Sequence, residues 1–284
     1  MLVFVVLSVI WGTTWSVIKI GLAGAPPLTG LAIRFAIAAA FLLALARWYR
    51  IPLGRSALER RLWLVNGLLS FCLSYGVVYW AEQHISSGLA AVIFATYPLF
   101  VVVMAHFTFE NEKMSKRSVS GVAISLIGVV TIYADGIMSW GGGKQVFASL
   151  VLLASPLASA VASVSIKKWG GRMHPISMTA VPMGLAAVMM GVLAAIWERG
   201  QPVHFDFPTV ASILYLAIFG SALTFSLYFW ALSHAAVTEL SLIAYTIPVI
   251  AVVIGIVFLD EAITTRTMLG VLLVIGGIAL SQSR

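Results

Sequence analysis

The stretch Trp80-Ala81-Glu82-Gln83-His84, running on through Ile93 to Thr96-Tyr97-Pro98, returns once, 150 positions later, as Trp230-Ala231, His234, Ile243 and Thr246-Ile247-Pro248. Trp, His and Pro are rare in a chain made mostly of Ala, Val, Leu and Ile, so their coincidence at one offset marks an internal repeat. At an offset of 149, Ser16, Lys19, Gly21 and Pro26 match Ser165, Lys168, Gly170 and Pro175. Ala38, Ala46, Trp48 and Arg50 match Ala187, Ala195, Trp197 and Arg199 at the same offset of 149. Glu112, Gly121, Val122 and Gly128 match Glu261, Gly270, Val271 and Gly277, again at 149. The register therefore runs from the start of the chain to its end, with one-residue slips.

The repeated unit belongs in a membrane. The chain has 284 residues, 61% hydrophobic and 10% charged, where a soluble domain carries about 25% charged residues. The net charge of +7 does not indicate nucleic acid, because the Lys and Arg fall between apolar runs and form no basic face. Basic loops in a polytopic chain report orientation. Cys72 is the single cysteine; it has no disulfide partner in the chain and fits no metal spacing. No metal and no cofactor is expected. No basic segment precedes the first apolar run and no small-residue cleavage site follows it, so it reads as a spanning helix and not as a signal peptide.

A helix needs about 20 apolar residues to cross the hydrocarbon. Ten such runs are visible, near 2–21, 28–47, 62–81, 87–108, 118–134, 146–167, 176–197, 208–232, 238–259 and 267–282. With the N-terminus cytoplasmic, the inside segments hold twelve Lys and Arg and the outside segments four. Both termini are therefore expected in the cytoplasm. The expected fold is an all-α polytopic membrane protein of ten transmembrane helices. Its first repeat is residues 1–135 and its second 146–282. Five helices per copy is an odd number, so the second copy inserts inverted. Inverted repeats are the architecture of secondary transporters, with the site between the copies near the midplane.

Particular residues carry a resemblance to a known family. Ile10-Trp11-Gly12-Thr13-Thr14-Trp15, Ile18-Lys19-Ile20-Gly21, Pro26-Pro27-Leu28 and Arg34-Phe35 resemble the opening of the EamA-type transporters of the drug/metabolite transporter superfamily. Ala81-Glu82-Gln83-His84, Ser87-Gly88-Leu89-Ala90-Ala91 and Pro98-Leu99 are similar to that family's passage from third to fourth helix. Glu112 with Gly121 and Gly128, and Glu261 with Gly270 and Gly277, resemble the close of each unit. The resemblance covers essentially the whole chain and implies ten helices, export of small metabolites and a bacterial inner membrane. The sixth helix departs from the pattern, lacking counterparts of Trp11 and Trp15.

The candidate transport residues follow from intramembrane chemistry. Pro98 and Pro248 each remove a helical hydrogen bond, freeing the carbonyls of Phe94 and Ala244. They are either structural kinks or hinges that line the pathway. Trp11, Thr14 and Trp15 cluster on the first helix. Ser155, Ser159, Ser163 and Lys167 recur every four residues on the sixth and share one face; small residues there either pack helices or line a pathway. Tyr75, Tyr97 and Tyr245, with Thr96 and Thr246, sit deep enough to line a cavity. Tyr79 and Trp80 read as belt residues. Arg34 is expected to snorkel to the outer surface, or else to meet a substrate carboxylate or Glu82. Glu112 and Glu261 are expected just before the fifth and tenth helices, either favouring the positive helix N-termini or pairing with nearby Lys113 or Arg266. The small faces Gly121-Ser125-Gly128 and Gly270-Gly276-Gly277 either pack the two units together or form a homodimer surface through helices five and ten.

No acid stands near a helix centre, and buried acids are the usual seat of ion coupling. The expectation is facilitated diffusion or weakly coupled exchange, with flux persisting without a pH gradient. The expected partners are a small-molecule substrate and the lipid bilayer. The expected function is export or exchange of small metabolites, amino acids or related zwitterionic and neutral compounds, by alternating access. The alternatives are a broad-specificity lipophilic drug exporter and, more remotely, a membrane-embedded enzyme. The last lacks any nucleophile, zinc or paired-acid pattern.

Overall fold

The computed structural model describes residues 2–54, 56–132, 142–171, 173–250 and 265–282. Among these residues the regular structure is entirely helical, in ten segments that follow the ten apolar runs. They are α1 Leu2–Gly24, α2 Pro27–Trp48, α3 Ala57–Ala81, α4 Ser87–Thr108, α5 Lys116–Ile132, α6 Gly143–Trp169, α7 Pro175–Trp197, α8 Phe207–His234, α9 Val237–Ile250 and α10 Thr265–Gln282. Seven of them are long and apolar enough to cross a bilayer, and Val237–Ile250 is a shorter apolar helix. Glu261 lies outside the described residues.

Local chemistry sets the helix starts. Pro27 and Pro175 occupy the first turns of α2 and α7, where a missing N–H costs nothing. Ser56 and Glu59 form a reciprocal cap on α3, and the Asp206 side chain accepts from Thr209 N on α8. Two carboxylates cap helices distant in sequence. The Leu28 and Thr29 amides donate to Glu198 at 2.8 Å. The Val237 and Thr238 amides donate to Glu112 at 3.2 and 3.1 Å. Glu112 therefore serves the start of α9, not the start of α5 as expected. Its charge still opposes the positive end of a helix dipole.

The third helix of each repeat carries a π-helical stretch, Asn66–Ser74 in α3 and Ile218–Leu223 in α8. Helix α4 breaks between Phe94 and Tyr97, with Thr96 capping its second half and Pro98 in that half's first turn. Ala95 N donates to Val92 O at 3.1 Å, and its repeat counterpart Tyr245 N donates to Leu242 O at 3.0 Å. Both copies thus tighten one turn before the repeated proline.

The small-residue faces meet inside one chain. A Cβ added to Gly121 would stand 2.5 Å from Gly277 O, and one on Gly277 would stand 2.3 Å from Ser125 Oγ. Ser125 Oγ also donates to Val274 O at 3.3 Å. Helices α5 and α10 are in backbone contact along this seam, as small residues allow. Gly121, Ser125, Gly128, Gly270 and Gly277 are therefore consumed within the monomer, while Gly276 stays exposed outside the seam. Met268, Leu269, Leu272 and Ile275 form the exposed outer side of α10.

Candidate functional site

Helices α1, α3, α4, α6, α8 and α9 line a cavity of about 100 Å³. Its aromatic walls are Trp11, Trp15, Tyr75, Phe94, Tyr97, Phe225, Tyr228 and Phe229. Thr14, Ser70, Ser74, Ser159, Ser163 and Ser241 add hydroxyls, and no charged residue lines it among the described residues. The walls obey the repeat. Thr14 and Ser163 are counterparts, as are Tyr75 and Phe225, Val78 and Tyr228, Phe94 and Ala244, and Tyr97 and Ile247. Both members of each pair line the cavity.

The polar groups are few and fixed. Ser163 Oγ accepts from the Tyr97 and Tyr228 hydroxyls, each at 3.0 Å, and those two hydroxyls are 2.9 Å apart. Ser74 Oγ bonds Ser155 at 2.7 Å and accepts from Ser159 at 2.9 Å. The Trp11 indole Nε1 is buried and has no hydrogen-bond partner among the described residues. An indole N–H is a donor only, so only an acceptor can satisfy it.

Behind the Tyr75 wall lies a charged cluster. Arg34 is fully buried. Its Nε donates to Ser221 Oγ at 2.8 Å, one Nη to the Tyr79 hydroxyl at 3.1 Å, and the other to Gly220 O at 3.1 Å. Its guanidinium carbon sits 4.8 Å from the centre of the Tyr75 ring, within cation–π range. Ser221 and Gly220 belong to the π stretch of α8, whose wider turn departs from the i→i−4 ladder and helps present a carbonyl to the guanidinium. Lys19 Nζ donates to the backbone carbonyls of Glu82 and Ile85. The Glu82 side chain is fully buried, and neither carboxyl oxygen has a partner among the described residues.

Comparison with known proteins places this architecture. The EamA-like transporter family matches residues 1–134 and 146–282. The chain belongs to that family. The uncharacterized transporter YoaV of Bacillus subtilis (strain 168) is 28% identical over 281 residues, spanning 99% of this chain and 96% of the relative. Protein PagO of Salmonella typhimurium is 28% identical over 290 residues, spanning 99% and 91%. The uncharacterized inner membrane transporter YedA of Escherichia coli (strain K12) is 31% identical over 259 residues, spanning 88% and 79%. One solved crystal structure superposes with a TM-score of 0.84 at 18% identity, covering 99% of this chain and 95% of that one. At that identity the likeness shows the fold. The protein is a multi-pass membrane transporter of the EamA type, and its family is one of transporters and not of enzymes.

Within this EamA-type fold the candidate residues separate. Trp11, Thr14, Trp15, Tyr75, Tyr97, Ser159 and Ser163 all line the cavity. Thr96, Tyr245 and Thr246 do not: Thr96 bonds Ile93 O, Thr246 bonds Ser8 Oγ at 2.6 Å, and the Tyr245 hydroxyl bonds Val122 O beside the α5–α10 seam. Pro98 and Pro248 are buried one turn from the cavity residues Phe94 and Ala244. Arg34 does not snorkel; at 0% exposed it is committed to Ser221, Tyr79 and Gly220. Tyr79 is likewise buried, at 4% exposed, and is not a belt residue. Sequence reading passed over Tyr228, Phe225 and Phe229. The repeat offset was the signal that would have found Phe225, the counterpart of the candidate Tyr75.

Proposed function

We propose that this EamA-type transporter exports or exchanges small zwitterionic or neutral metabolites, amino acids or close relatives, by alternating access around the cavity between its repeats. The observation that carries the reading is the pairing of cavity walls across the repeat. A site built from both copies stays in place while either end of the bundle opens around it. Among the described residues the lining carries no charge; it brings an unpartnered indole N–H, a hydroxyl cluster, and the carbonyls of Phe94 and Ala244 that Pro98 and Pro248 deprive of helical donors. A carboxylate suits the indole and an ammonium suits the carbonyls. Opening to either side requires the walls to part, with the paired prolines as hinges. The Lys and Arg bias puts both termini in the cytoplasm and the Glu82 end of the bundle outside. YedA's inner-membrane assignment supports the same membrane here.

The test is a thermal-shift screen of the purified protein against amino acids, nucleobases and lipophilic cations, followed by counterflow in proteoliposomes with whichever class binds. Stabilisation and saturable counterflow by zwitterions are expected. The aromatic lining also suits a lipophilic drug exporter, and stabilisation by lipophilic cations alone would replace the proposed substrate class with that one.

A further inference from the structure

The two ends of the cavity share one plan, but among the described residues only one end adds a fully buried arginine and a fully buried carboxyl to its lysine. At each end a lysine one turn beyond a cavity residue clamps the end of a repeat's third helix. Lys19, one turn past Trp15, donates to the carbonyls of Glu82 and Ile85. Lys167, one turn past Ser163, donates to those of Leu232 and Ala235 at 2.9 and 2.7 Å. Glu82 and Leu232 are repeat counterparts, as are Ile85 and Ala235. The clamp uses only the backbone of this position, and leucine performs the same task at the opposite end. The Glu82 carboxyl is therefore not needed for it. The same asymmetry holds nearby: the counterpart of Arg34 is Met183, also fully buried.

What distinguishes Glu82 is where its carboxyl sits. It is one turn beyond the cavity residue Val78, 0% exposed, with both oxygens unpartnered among the described residues. A carboxyl without water or donors favours its neutral form. Glu82 follows Ala81, the last residue of the α3 span, and burial pushes it up to about 8, while Lys19 and Arg34 pull it down. The groups facing it are Lys19 from α1, Arg34 from α2 and Tyr79 from its own helix.

We propose that Glu82 is a proton-binding site at the outer end of the cavity, protonated while that end is closed and ionised when it opens to water. This rests on the alternating-access reading. On opening, the carboxyl O–H gives its proton to water and leaves a carboxylate; on closing, the carboxylate takes one proton back. The closed form has the raised pKa, so proton uptake favours closure at low pH. That advantage fades as pH rises through the closed-form value of about 8. Between the ordinary carboxyl value of ~4.3 and that point, one proton per opening raises the open population about tenfold per pH unit. Flux then needs no pH gradient but depends on the external pH itself.

The experiment uses a Cys72→Ala background with Val78→Cys in the cavity wall, labelled from outside by an impermeant maleimide in proteoliposomes. The rate is divided by that of Gln201→Cys in an exposed loop, which corrects for the reagent, and the Glu82→Gln and Glu82→Leu proteins give the slope that the buried thiol's own titration contributes. The ratio is expected to climb more steeply with external pH in the Glu82 protein than in either variant. A ratio that climbs no more steeply with Glu82 present than in both variants overturns the proton site. A position 78 cysteine that never labels at any pH instead counts against alternating access. Infrared titration reads the carboxyl independently of transport. A protonated-carboxyl band that disappears on alkalinisation and is missing from Glu82→Gln supports the site, and its absence from the Glu82 protein overturns it.

Discussion

Trp11 isolates the chemistry of the cavity in a single atom. Its ring packs on Phe225 and Tyr228, with centroids at 5.5 and 5.6 Å, while its Nε1 has no partner among the described residues. Trp11→Phe keeps an aromatic wall and removes the donor. We expect thermal stability in detergent to change little and the affinity of a carboxylate-bearing substrate to fall about tenfold, near the ~1.4 kcal/mol scale of one hydrogen bond. A melting-temperature and titration pair checks this; unchanged affinity would assign the indole to packing. The same residue shows what the sequence made legible. Trp11 and Trp15 on α1, and the four-residue spacing of Ser155, Ser159 and Ser163 on α6, declared one face on each of two helices, and those faces do line the cavity apart from Ser155, which bonds Ser74. What lies opposite a face is not encoded in spacing. Arg34 finds Ser221 and Gly220 more than 180 residues away. Tyr228 reads alike as belt or core until Tyr97 and Ser163 are brought to it.

At the scale of the helix, Pro182 inside α7 shows how the bundle tolerates broken backbone. Pro182 has no N–H to offer Met178 O, its partner in a regular helix. The amide of Asn66 on α3 supplies the missing donor, at 2.9 Å and fully buried. Asn66→Ala should leave that carbonyl unsatisfied in a dry interior and cost about 1–3 kcal/mol. In a Pro182→Ala background the helix can close its own bond, so the Asn66→Ala cost should shrink by about 1 kcal/mol or more. The double-mutant cycle, read from thermal unfolding in detergent, measures that coupling; additive costs would show that Asn66 serves something other than the proline. Element existence was plain in the apolar runs, since hydrophobic length alone selects spanning helices. The π stretches at Asn66–Ser74 and Ile218–Leu223 were not. They depend on which side chains and carbonyls meet across helices, and no local pattern signals that.

The whole molecule is two inverted copies, and the alternating access proposed for it would set their ends in competition, on which the twin lysine clamps give a handle. Lys19 ties α1 to the turn after α3, and Lys167 ties α6 to the turn after α8, at opposite ends of one cavity. In sequence the copies align Lys19 with Lys168, and the structure shows Lys167, one residue earlier, in the equivalent role. If one end opens only while the other stays shut, loosening one clamp must favour its own end at the expense of the other. Lys19→Met should therefore increase external labelling of Val78→Cys about tenfold, the scale of one ~1.4 kcal/mol shift between two states. Lys167→Met should decrease it by a similar factor, because it favours the inward-open form. The double variant should return toward the starting rate, since each change biases the same equilibrium with opposite sign. Two clamps that serve only local stability would behave differently: each single variant would raise labelling or leave it alone, and the double variant would show the larger loss of order. The sign of the Lys167→Met effect, measured at the far end of the bundle from the mutation, is what separates a coupled pair of gates from two independent braces.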